Sequence, residues 1–207
     1  MKNQRSIWLA AATILTGVLT GLSAATAQSE TPPSAAQAES VIELGLLPPT
    51  LQDFLHLQEG AVTPERGLAL FVLAMLVHED MPSVAEEMVI AATTDNNLVI
   101  KSDGTKVLLP YMRDHLGRLA KDPAIARSYV EGATPQNGYT IPSGAGYKFH
   151  FSRNRLSEVS KTEVRVFIKT SGAGTPRPVF LSKQKNGIWK VEEMGSLFVG
   201  IYLPSTK

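Results

Sequence analysis

The sequence predicts an α+β domain, an N-terminal helical half packed on a C-terminal antiparallel β-sheet, and three observations carry that prediction. Residues 68–77 are almost continuously apolar, the pattern of a helix buried on every side. After Ala133 the spacing of apolar residues changes from helical to alternating. Asn186-Gly187 separates two alternating runs, and this dipeptide suits a tight hairpin because both residues accept positive φ. Helices first and hairpin-linked strands after give segregated layers, with the apolar helix covering one face of the sheet.

The chain opens with Lys2 and Arg5, an almost uncharged apolar run over residues 7–22, and the small residues Ala25-Thr26-Ala27. This is the pattern of a signal peptide over residues 1–27 with cleavage before Gln28. As a helix the apolar run is about 24 Å long, short for a bilayer, so trimming is expected rather than a retained anchor. Residues 28–40, QSETPPSAAQAES, have little to bury and read as a flexible leader. Over residues 41–62 apolar positions are interrupted by Pro48-Pro49, which predicts a docking segment with a helical turn near 51–57.

Residues 63–204 read as a single α+β domain, helices over 63–132 and sheet over 145–203. Thr63 caps and Pro64 opens the apolar helix. Ser83 and Glu86 have capping-box spacing, and Val84, Met88 and Ala91 share a face of the next helix. Asp95-Asn96-Asn97 breaks it, residues 98–100 form a brief strand, residues 107–119 show helical spacing, and Asp122-Pro123 starts a helix that stops at Gly132. In the second half Tyr147, Phe149 and Phe151 oppose Lys148, His150 and Ser152. Val164, Val166 and Ile168 alternate in the same way, residues 179–185 and 188–193 form the hairpin, and Leu197, Val199 and Ile201 suggest a last strand.

Composition bounds the function. Twenty Lys and Arg stand against 19 Asp and Glu, for a net charge of +1, so no long-range field gathers polyanions and nucleic acid is not an expected partner. Hydrophobic residues at 43% and charged residues at 19% suffice for a packed core. With no cysteine, disulfides, thiolate metal sites and cysteine nucleophiles are excluded.

Two blocks carry a family resemblance. The first is Ile125-Ala126-Arg127-Ser128-Tyr129, Gly132-Ala133-Thr134-Pro135, Asn137 and Tyr139; the second is Ser171-Gly172-Ala173, Pro176-Arg177-Pro178, Leu181 and Trp189. Together they resemble an uncharacterised bacterial domain family over roughly residues 63–200, marked by ARSYxxGATPxNxY and then SGAxxPRPxxL and a Trp. Residues 195–204 depart from the acidic-aromatic ending expected of it, and the export signal is an addition. The resemblance implies one compact domain, helices before strands, and no reaction.

No reaction motif appears. His56, His78, His115 and His150 are scattered without metal-ligand spacing, so no metal and no cofactor is expected. His78 at a helix end reads as a cation favoured by the helix C-terminus. No GxSxG elbow and no phosphate loop is present, so no catalytic residue is assigned. Arg177, its direction fixed by Pro176 and Pro178, could grip a carboxylate or phosphate, or pair with an acid of the helical layer. Arg127 could do the same, although folding back toward the 133–142 loop and satisfying carbonyls of the Gly132 to Pro135 turn suits it better. The repeated tetrapeptide at 143–146 and 171–174 reads as turn chemistry rather than as an anion site. Tyr139 and Trp189, with Tyr129 and Tyr147, could line a small-molecule pocket, and core packing is the competing role.

The expectation is an exported, periplasmic or extracellular binding module, non-enzymatic, meeting an envelope protein or a small ligand through the concave face or edge of its sheet, with no membrane span after cleavage. An envelope hydrolase with an acid–base pair assembled from distant residues is the alternative.

Overall fold

A computed structural model describes residues 38–144 and 146–205. The expected signal peptide and most of the leader lie outside the described residues. The elements run β1 (Ala38–Leu44), α1 (Leu51–Gln58), α2 (Pro64–Val77), α3 (Pro82–Ala92), β2 (Leu98–Ile100), β3 (Lys106–Leu108), α4 (Pro110–Lys121), α5 (Ala124–Arg127), β4 (Tyr147–Arg153), β5 (Glu163–Ile168), β6 (Arg177–Lys183) and β7 (Trp189–Glu193). The fold is α+β: a five-stranded antiparallel sheet in the order β1-β4-β5-β6-β7, a β2-β3 ribbon, and helices gathered in the first half.

Helix α2 fills the centre. The Thr63 hydroxyl accepts from Arg66 N, Pro64 takes the first helical position, and residues 67–77 are buried throughout. The helix lies so close to the sheet that a Cβ on Gly67 would come within 2.6 Å of the Trp189 carbonyl oxygen. Its sheet-side partners are Phe149, Phe151, Val164, Val166, Ile168, Val179, Leu181 and Val191, the inward half of each alternating strand. Among the described residues no helix is long and apolar enough to cross a membrane.

Several boundaries differ from the sequence reading. Residues 38–44, divided between leader and docking segment in that reading, form the sheet's edge strand: Ile42 and Leu44 turn inward while Glu39, Val41 and Glu43 are exposed. Pro82 takes the first position of α3, which makes Met81 the cap and leaves the Ser83 capping box unformed. Residues 106–108 pair with 98–100 before Pro110 starts α4, because proline at that point disfavours helix in the residue before it. Helix α5 is a single turn, and the chain then winds to Gly132 at φ +86°. The final strand does not form. Leu197 and Phe198 are consecutive and both buried, which a strand against one layer cannot achieve, so residues 195–198 make a tight 3₁₀ turn into the helical layer. The flank of β7 is met by Thr93 and Thr94, the latter donating to Val191 O at 3.0 Å.

Candidate functional site

Among the described residues no element covers the opposite face of the sheet. It presents Val41 from β1, Lys148, His150 and Ser152 from β4, Phe167 from β5 and Phe180 from β6, all exposed or half-buried. Arg165 lies over the rings of Phe167 and Phe180, 5.2 and 5.9 Å from their centroids, and shields part of their apolar surface.

Two clefts adjoin where β4 and β5 part. Their ladder holds Phe151 opposite Ile168 and Ser152 opposite Phe167, and beyond Lys169 the chain leaves the sheet. The larger cleft, about 460 Å³, is bounded by residues 39–41 of β1, His150 and Ser152 of β4, and residues 169–170 and 173–176. The smaller, about 260 Å³ and mostly apolar, is bounded by residues 128–134 with His150, Lys169 and Ser171. His150 and Lys169 line both.

His150 Nε2 is hydrogen-bonded to a carboxylate oxygen of Glu131, whose backbone N–H is tied to Lys148 O at 2.9 Å. The bond to His150, reinforced by the charges of His150, Lys148 and Lys169, holds the Glu131 carboxyl below its usual range. The carboxylate is well exposed, so the pair is wet. The hydroxyls beneath it are engaged: Ser128 Oγ and Thr170 Oγ1 are 2.8 Å apart and buried, and Ser171 Oγ donates to Ala133 O at 2.5 Å. An imidazole beside a carboxylate can move a proton, but none of these hydroxyls is hydrogen-bonded to His150.

These contacts also join the two sequence blocks. Ser171 N donates to Ser128 O at 2.9 Å, so the helical turn at 125–128 and the link at 171–174 are stitched together. The chain belongs to the family described as Domain of unknown function (DUF6935), whose model matches residues 46–205. No curated protein and no solved structure matches it. The DUF6935 match begins before α1 and so takes in part of the segment that the sequence reading set apart for docking.

The residues singled out from the sequence do not converge. Arg127 is held in a two-pronged pair by Glu79, just past the end of α2, instead of serving the carbonyls of the Gly132 to Pro135 turn. That turn is served otherwise: Asn137 Nδ2 donates to Gly132 O and Ser171 Oγ to Ala133 O. Arg177 donates to Gly200 O at 3.2 Å, fastening the C-terminal tail. Tyr139 is fully buried at φ +59°, and its hydroxyl donates to Tyr202 O at 2.7 Å. Trp189 packs against the core while its backbone N–H donates to Ala61 O, and it lines neither cleft. Of the tyrosines, Tyr129 reaches the smaller cleft; its hydroxyl donates to Leu197 O, and burial pushes the phenol pKa up against the opposing charge of Arg177.

His78 also departs from its reading as a cation. It is buried, and desolvation lowers its pKa and favours the neutral ring, against the charge of Glu86, which raises it. Among the described residues no three His, Asp or Glu side chains gather as metal ligands. Glu39, Glu131, His150 and Lys169 were missed from the sequence. Alternation along β4 placed His150 on the polar face, but only the strand register brings Lys169 alongside it and Glu39 opposite Ser152, two residues further on.

Proposed function

We propose that this is an exported, non-enzymatic binding module of the cell envelope, and that its ligand or partner occupies the cleft over β1, β4 and Lys169. The observation that carries the reading is the arrangement of the open face: the larger cleft combines exposed Val41 with His150 and Lys169, away from the packed core. The signal-like N-terminus supports export. In this reading residues 128–134 of the first block and Ser171 of the second contribute the wall of the smaller cleft.

A hydrolase is the second reading, favoured by the Glu131–His150 contact, both residues of which line the smaller cleft. The engaged hydroxyls and the solvent around the pair favour binding.

The test begins with the tagged chain, expressed with its own leader in its host and recovered from the envelope with whatever it retains. Mass spectrometry should find an N-terminus at Gln28, and the retained species should be lost when Val41→Arg fills the cleft. Equal retention by that variant would remove the cleft from consideration. A cytosolic product beginning at Met1 would remove export. Turnover of an envelope extract that disappears in His150→Gln would favour the hydrolase.

A further inference from the structure

The charges of the larger cleft are unevenly satisfied. Its charged lining residues are Glu39, His150 and Lys169. His150 has Glu131, and nearby Lys148 has Glu43 at 3.5 Å. Glu39 and Lys169 make no ion pair and no side-chain hydrogen bond among the described residues, although both line this cleft.

Strand register sets their separation. Glu39 lies opposite Ser152 and Ser152 opposite Phe167; Lys169 follows two residues later, its N–H on His150 O at 2.8 Å. Two strand spacings and two residues of rise put the Cα atoms of Glu39 and Lys169 roughly 12 Å apart on the diagonal. Strand alternation turns both side chains to the open face. Val41, Ala173 and Pro176 line the same cleft and supply apolar surface.

We infer that the cleft takes a short zwitterionic peptide or amino-acid derivative, its ammonium on Glu39, its carboxylate on Lys169 and its body against Val41 and Pro176. The inference rests on the binding reading above. A simple anion would meet the uncompensated Glu39, a polycation would meet Lys169, and an uncharged ligand would desolvate both charges without pairing either. A ligand with both charges satisfies both and is held in one orientation. Two or three extended residues span about 7 to 10 Å, and the flexible Glu and Lys side chains close the remainder.

The experiment is an NMR titration of the isotope-labelled chain, expressed with its own leader, with trialanine and with trialanine blocked at one or both ends. Free trialanine should shift the amide signals of residues 39–41, 169 and 173–175. Acetylating the amine or amidating the carboxylate should each weaken binding about tenfold, the loss of one charge-assisted contact. Lys169→Gln should weaken trialanine by the same factor and abolish discrimination between carboxylate and amide, while Glu39→Gln should do so for the amine. Equal binding of the doubly blocked peptide, or no shift at these residues at millimolar peptide, overturns the inference. The two failures separate cleanly: if peptides fail while Val41→Arg still abolishes envelope capture, the cleft remains a binding site for another ligand. If Val41→Arg leaves capture intact, the binding reading itself fails.

Discussion

The two faces of the five-stranded sheet come from the same alternating residues and do opposite things. On the inner face Phe149, Val166, Ile168, Val179 and Val191 are fully buried against a helix with almost no polar surface. On the outer face their neighbours His150, Phe167 and Phe180 remain half-buried, and Lys169 is exposed. The inner face is where burial stabilises the fold; the outer face keeps charge and partial apolar surface in contact with water. Under the proposed binding reading, stability and recognition are separated by the thickness of one pleated layer, and substitutions can probe either without the other.

The sharpest contrast is between two phenylalanines. Phe71 of α2 is fully buried and meets Phe198 edge to face, with ring centroids 6.4 Å apart. Phe71→Ala should cost about 3–5 kcal/mol, read as a shift of the urea midpoint. Phe180→Ala on the open face should cost less than about 1 kcal/mol, since much of its surface is already wet. Equal losses would mean that the outer face is covered in solution and would break the comparison.

The next largest effect tests how tightly helix and sheet approach. In an exposed helix interior, Gly→Ala gains roughly 1 kcal/mol. At Gly67 the added methyl would sit 2.6 Å from the Trp189 carbonyl, an atom fixed in β7, so the sign reverses. Gly67→Ala should be destabilised by about 1–3 kcal/mol in thermal or urea unfolding. A more stable variant would show that α2 rides higher on the sheet.

How much of this was legible follows from the range of each signal. Helix α2, the β6–β7 hairpin and the inward set of β4 and β5 are written in local periodicity, and all appear where the sequence put them. Strand β1 was missed because its alternation becomes meaningful only beside β4, more than a hundred residues later. The 195–198 turn failed similarly: Leu197, Val199 and Ile201 alternate, yet buried Phe198 decides the path. At the candidate site, local context drew attention to Arg127 and Arg177, whose partners Glu79 and Gly200 are distant in sequence. Alternation put Lys169 on the polar side of its strand, but an isolated lysine at a strand end carries no pattern that marks a site.

A smaller effect follows from two histidines of the helical layer. His115 stacks on Phe198 at 4.7 Å with its Nδ1 buried and without a partner, and both His115 and His78 are pushed below their usual pKa of 6.5 chiefly by desolvation. The unfolded chain therefore binds protons that the folded chain resists, so their contribution to stability is present above about pH 6.5 and lost as pH falls toward the lowered folded values. The melting temperature should decline below that point, and His115→Phe should flatten the decline by removing one of the two groups. A variant with an unchanged slope would place the acid sensitivity elsewhere.

The smallest expected change in stability belongs to Lys169, and the comparison depends on it most directly. Its side chain is exposed and forms no ion pair among the described residues, so Lys169→Gln should alter the unfolding free energy by less than about 0.5 kcal/mol. The same substitution should weaken whatever charged ligand the cleft retains, because a neutral amide cannot replace an ammonium opposite a carboxylate. Unfolding and binding measured on one preparation separate the possibilities: lost binding with unchanged stability places Lys169 in recognition. A large loss of stability would instead give it an internal partner in solution, and the division of labour between the two faces would then fail at this residue.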